Sequence, residues 1–199
     1  MMDLKTHYLY QANNKDSPVA NRFSQCGYSS AIMLISQYLG PAFCTPQNEA
    51  IFLDWMEPSF GLPGIGELLV SKDRKLAGKR LGAQIECYRA AIEKWLNDSK
   101  IKGSCTVRRG GNWQEIEAQI LAGNPIMIGW MPTPDGHFSV IRGFSETVLK
   151  LNDPAGSALN GYFKNATDGD GVEYPREWFR KYSELSTYGL GYLFFNRSK

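Results

Sequence analysis

The spacing of apolar residues changes once along the chain, near residue 125, and that change restricts the possible architectures more than any other feature. Before it, apolar residues recur at helical spacing: the run "CGYSSAIMLISQYL" from Cys26 to Leu39, closed by Gly40 and Pro41, then Ile85, Tyr88, Ile92, Trp95 and Leu96, then Trp113, Ile116, Ile120 and Leu121. The last of these helices has Asn112 as a candidate N-cap, Glu115 three residues later, and Gly123 and Pro125 as stop signals. After the change, "PIMIGW", "HFSVIR", "VLKLND" and "YGLGYLFF" are rich in β-branched and aromatic residues and read as strands. Helices followed by an antiparallel sheet predict an α+β domain. Residues 41–82, interrupted by Pro46, Pro58, Pro63 and several glycines, read as short helices and loops rather than regular sheet.

A chain of 199 residues, 43% hydrophobic, can bury one sizeable core, so a single domain over residues 1–199 is expected. No internal repeat or linker divides it. The net charge of +2, with basic and acidic residues interspersed, disfavours a nucleic-acid partner. The N-terminal "MMDLKTHYLYQANN" lacks an apolar signal region, and no run approaches the roughly 18 apolar residues of a membrane span. The expectation is cytoplasmic synthesis without a signal peptide or membrane insertion. The sequence does not specify an oligomeric state.

Four cysteines, Cys26, Cys44, Cys87 and Cys105, lack the CxxC spacing of a zinc or redox site and read as thiols. Three suit buried small hydrophobes. Cys26 differs, because it opens the first apolar helix, where backbone N–H groups and the helix dipole favour the nucleophilic thiolate. A nucleophile needs a base. His7 lies in a polar lead segment and reads as an exposed surface imidazole, which leaves His137. If "GFSET" is a hairpin loop, Arg142 pairs with Val148, and counting outward sets His137 opposite Asp153 on one sheet face. A slip of one residue would send Asp153 to the other face, with Asn152 then first in line. Thiolate, base and orienting acid are the three parts of nucleophilic acyl transfer.

The blocks "CGYSSAIMLISQYLG", "GNPIMIGW", "GHFSVIRGF" and "LNDPAG", in that order, resemble those of the C39-like, papain-fold cysteine peptidases of the stand-alone type seen in bacteria and phages. The resemblance runs from about Gln11 to Gly156. It implies a papain-like fold, with the nucleophile at a helix N-terminus packed on a C-terminal antiparallel sheet. It carries over Cys26 as nucleophile, His137 as general base and Asp153 as orienting acid, acting through a thioester acyl-enzyme without a cofactor or metal. Such peptidases also hold the oxyanion with a glutamine amide upstream of the cysteine. Gln11 in "YQANN" resembles that position, with Asn21 and Gln25 as alternatives; Gln25 stands where many relatives have an acidic residue. Gly27, Trp130 and Gly136 are expected to bind substrate, with Trp130 and "MPTPDG" as a lip before His137.

Two further motifs carry less. In "DGDGVEYPRE", Asp168, Asp170, Gly171 and Glu177 have offsets reminiscent of a calcium loop, but Ala166 occupies the first ligand position and Pro175 interrupts it, so a polar turn is expected. "GLPGIGELL" has no preceding strand and no following lysine, and reads as a loop rather than a phosphate cradle. The substrate implied is a peptide, foremost the peptide of peptidoglycan, cut by a lysin released to the wall by a partner. The alternatives are a leader-peptide or cytosolic protein peptidase, a deamidase or acyltransferase on the same chemistry, and a non-catalytic binding module.

Overall fold

The computed structural model describes residues 2–13, 25–56, 85–185 and 190–198. The helical part comprises a 3-10 turn at Gln11–Asn13, α1 (Cys26–Leu39), a second 3-10 turn at Pro41–Phe43, α2 (Pro46–Met56) and α3 (Ile85–Asp98). β1 (Met2–Asp3) precedes it. The remaining elements are β2 (Gly103–Arg108), α4 (Trp113–Leu121), β3 (Ile126–Trp130), β4 (His137–Phe144), β5 (Val148–Asn152), β6 (Val172–Pro175), α5 (Arg176–Ser183) and β7 (Gly191–Arg197). The strands form one antiparallel sheet in the order β2-β7-β3-β4-β5-β6, and β1 pairs with the end of β4 that β3 does not reach. This is the expected α+β arrangement. β1, β2, β6 and α5 escaped the periodicity reading, being two to eight residues long, and all four carry charged or proline residues.

Alternation along the strands divides the core in two. Met127, Val140, Leu193 and Phe195 face α1 and α3, while Ile126, Ile128, Trp130, Ile141, Tyr192 and Phe194 join Ile116, Ile120 and Phe179 on the other face. Each fully buried large apolar side chain contributes about 1.5–3 kcal/mol, so both faces are firmly anchored. α1 is buried along the whole run Gly27–Ser36, as a helix apolar on nearly every side must be. α4 starts where its cap signal lies, with the Asn112 Oδ1 accepting the Glu115 N–H at 2.8 Å. α2 is one of the short helices expected after residue 41; "GLPGIGELL", Pro58 and Pro63 lie outside the described residues.

The β4–β5 hairpin departs from the expected register. Phe144 pairs with Leu149 and Gly143 with Lys150, rather than Arg142 with Val148. That slip is odd in number and by itself would turn Asp153 to the face opposite His137. A bulge at Arg142 removes one position, so that Ile141 pairs with Leu151 and Val140 with Asn152. Continuing this register sets Asp153 level with Ser139, two residues from His137 and on the same face. The bulged Arg142 reaches out to Asp3 (2.8 Å), Asn152 (2.9 Å) and Asp170 (3.0 Å). The guanidinium thus sits against the carboxylate of the calcium-like turn.

Candidate active site

Cys26 is the first residue of α1, and Gln25 before it makes no side-chain cap hydrogen bond to the helix. The sulfur therefore stands at the positive end of a helix dipole. Gly27 has no room for a side chain, since a Cβ there would lie 2.0 Å from the Tyr88 hydroxyl. Gly27 is thus explained by close packing of α3 against the first turn of α1. Behind it Tyr28, Tyr88 and Phe52 form an aromatic group, with Tyr28 edge-on to both of the others.

His137 opens β4 opposite Trp130 and is buried. Its Nε2 lies 2.6 Å from the Asp153 Oδ1, and the Cys26 sulfur is near enough to act on the ring's charge. With Nε2 occupied by the carboxylate, Nδ1 is the nitrogen left for the thiol. Burial opposes a charge on the ring, but the Asp153 carboxylate and the Cys26 sulfur outweigh it and raise the imidazole to about 10. The arrangement favours an imidazolium held between two acids.

Asp153 is fully buried just past β5. Its Oδ1 also accepts the Ala155 N–H at 3.2 Å, and its Oδ2 accepts the hydroxyls of Tyr174 at 2.7 Å and Tyr162 at 3.4 Å. A buried carboxylate needs this number of donors. Burial and the Asp153 charge both keep the two tyrosines protonated, and so available as donors. Tyr162 also covers the imidazole, with ring centroids 5.0 Å apart. Neither tyrosine was foreseen, because each belongs to a segment that reads as a turn and reaches Asp153 only through the fold. Asn152 points elsewhere, bonding Thr6, the His7 carbonyl, Arg142 and the Gly171 N–H.

The lead segment is drawn to the site by those bonds. Beyond Thr6 and His7, the Gln11 N–H donates to the Pro154 carbonyl at 2.9 Å, which buries Gln11 beside the residue that follows Asp153. His7 is half-buried, not exposed, because its backbone is tied to Asn152. Gln25 is buried as well, and among the described residues its Oε1 accepts no hydrogen bond. Asn21 lies outside the described residues.

Trp130 corrects an expectation. It is 1% exposed, packed on Phe179 and Tyr174, with its indole N–H donated to Ser139 at 3.0 Å. Edge-on to His137, it backs the base from inside the core and forms no lip. Gly136 has φ +76 and closes the turn into His137 through its N–H to the Thr133 carbonyl, a left-handed conformation that glycine adopts without cost.

The other thiols differ from Cys26 in their surroundings. Cys87 and Cys105 are buried and Cys44 is half-buried, and none of the four cysteines is in a disulfide. Burial pushes Cys44 up to about 11 and Cys105 well above the ordinary thiol range, so both are protonated at neutral pH. Among the described residues, no three His, Cys, Asp or Glu gather to hold a metal ion, and no helix is long and apolar enough to cross a membrane.

A model of the Peptidase_C39 like family matches residues 4–184. Two solved structures share the fold. One is a double glycine motif protease from an AMS/PCAT transporter in complex with the leader peptide, 18% identical, covering 98% of this chain and 94% of that chain, with a TM-score of 0.50. The other is a putative C39-like peptidase from Bacillus anthracis, 13% identical, covering 99% and 98%, with a TM-score of 0.53. No curated protein sequence matches this chain.

Proposed function

Because the chain belongs to the C39-like family of cysteine peptidases, we propose that Cys26, His137 and Asp153 are its catalytic triad and that it is an endopeptidase. The observation that carries this reading is the buried imidazole, 2.6 Å from one acid and close to the thiol that opens α1. The Cys26 thiolate adds to the scissile carbonyl carbon, and the carbonyl π electrons move to oxygen. Collapse of that intermediate expels the amine, which takes its proton from the His137 imidazolium, and leaves a thioester on Cys26. The neutral imidazole then removes a proton from water as it attacks the thioester, and the sulfur departs as a thiolate, which restores the starting thiolate–imidazolium pair. Asp153 keeps the ring in register throughout.

The oxyanion is held by backbone N–H groups at the start of α1, joined by the Gln11 side-chain amide. Gln11 is preferred to Gln25 because its backbone bond to Pro154 ties it to the segment that carries Asp153. The wall-peptide substrate expected from the sequence is one form of this reaction. A linear polypeptide is the second reading, favoured by the leader peptide bound to one structural neighbour. Purified protein incubated with peptidoglycan and, separately, with a panel of polypeptides separates them. New amino termini from the wall with intact sugar chains support the first; cleavage confined to the panel supports the second and removes the lysin role.

A further inference from the structure

The loop 154–168 leaves Asp153 and returns to it, where the Asp153 N–H donates to the Gly169 carbonyl at 2.9 Å. Within the loop, the Phe163 N–H donates to the Ala155 carbonyl at 2.9 Å, and the Ala158 N–H donates to the Tyr174 hydroxyl at 2.9 Å. Held in this way, Phe163 has φ +62, in the left-handed region that a bulky residue rarely enters. The residue is 37% exposed. Its ring tilts against Tyr162 at 6.2 Å and Tyr10 at 6.5 Å, and Tyr162 lies 5.0 Å from the imidazole. A left-handed backbone that leaves an apolar side chain partly open to water, two ring contacts from the base, costs stability on both counts.

We propose that Phe163 determines specificity by contacting a large apolar side chain of the substrate peptide within about three residues of the scissile bond; the proposal rests on the peptidase reading above. Two ring contacts lead from His137 to Phe163, and an extended peptide rising about 3.3 Å per residue spans that reach in roughly three residues. The substrate class is then a polypeptide carrying a side chain such as Phe or Leu near the cut. Wall peptides, made of small and charged residues, offer no such group.

The test is a proteome-derived peptide library digested by the full-length protein, with cleavage sites read by mass spectrometry. The wild type is expected to enrich large apolar side chains about tenfold at one position within three residues of the cut, as partial burial of such a side chain against an aromatic ring warrants. Phe163→Gly, which accommodates φ +62, should lose that enrichment, while Phe163→Tyr, which keeps the ring, should retain it. Enrichment that persists in Phe163→Gly, that vanishes equally in both variants, or that is missing from the wild type overturns the assignment while leaving the peptidase reading intact. If the wild type cuts no peptide in the library, both fall together.

Discussion

The two sides of the site are built in opposite ways. Cys26 takes its place from the chain around it: it opens α1, its helix is buried from Gly27 to Ser36, and Tyr88 closes on Gly27 behind it. His137 and Asp153 take theirs from residues distant in sequence, with Trp130 behind the ring, Tyr162 over it, and Tyr174 on the carboxylate. The nucleophile's side is thus sensitive to packing volume. The side of the base is sensitive to register and hydrogen bonding. Substitutions on the two sides should therefore fail differently, and four of them put the contrast to the test.

The largest effect is expected on the sheet side, where His137→Ala removes the base and should lower kcat/KM by about 100-fold or more in a peptide assay. Its helix-side counterpart is Gly27→Ala. The added methyl meets Tyr88 at 2.0 Å, so stability in urea should fall by about 1–3 kcal/mol. An unchanged urea midpoint would mean that Tyr88 does not close on α1 as described.

Asp153→Asn comes next, with about a tenfold loss of kcat/KM, since the amide can still orient the ring but no longer supports its charge. Full activity in Asp153→Ala would remove Asp153 from the mechanism. The smallest effect belongs to Tyr174→Phe, which takes one donor from Asp153 and should cost about threefold in kcat/KM. This variant also has a signature in pH. Because the folded imidazole is raised from 6.5 to about 10, the stability its charge contributes is fully present below about pH 6.5 and is lost as pH rises through about 10. The alkaline limb of activity should fall at the same pH. With one donor fewer, Asp153 holds the imidazolium more strongly, and the limb should move to higher pH; a limb that stays in place would show that Tyr174 does not act through Asp153.

The same contrast explains what could be read in the sequence. The helix that carries Cys26 was legible because local spacing and the Gly40–Pro41 stop define it. The strand that carries His137 was legible for a similar reason. The pairing of His137 with Asp153 was reached through an incorrect register, because a bulge at Arg142 leaves no mark in the spacing of apolar residues. Tyr162 and Tyr174 lie in stretches dense in glycine, asparagine and aspartate, where local chemistry signals only turns. Trp130 read as a lip from its neighbours in sequence, and the packing of Phe179 and Tyr174 around it puts it in the core instead.

The central claim, that His137 activates Cys26, is tested most directly by alkylation of the folded protein with iodoacetamide at neutral pH, followed cysteine by cysteine by mass spectrometry. Cys26 should react faster than Cys44, Cys87 and Cys105 in the wild type, and its rate should fall to theirs in His137→Ala while that protein remains folded. Equal rates at all four thiols in the wild type, or a Cys26 rate indifferent to the loss of His137, would contradict the claim.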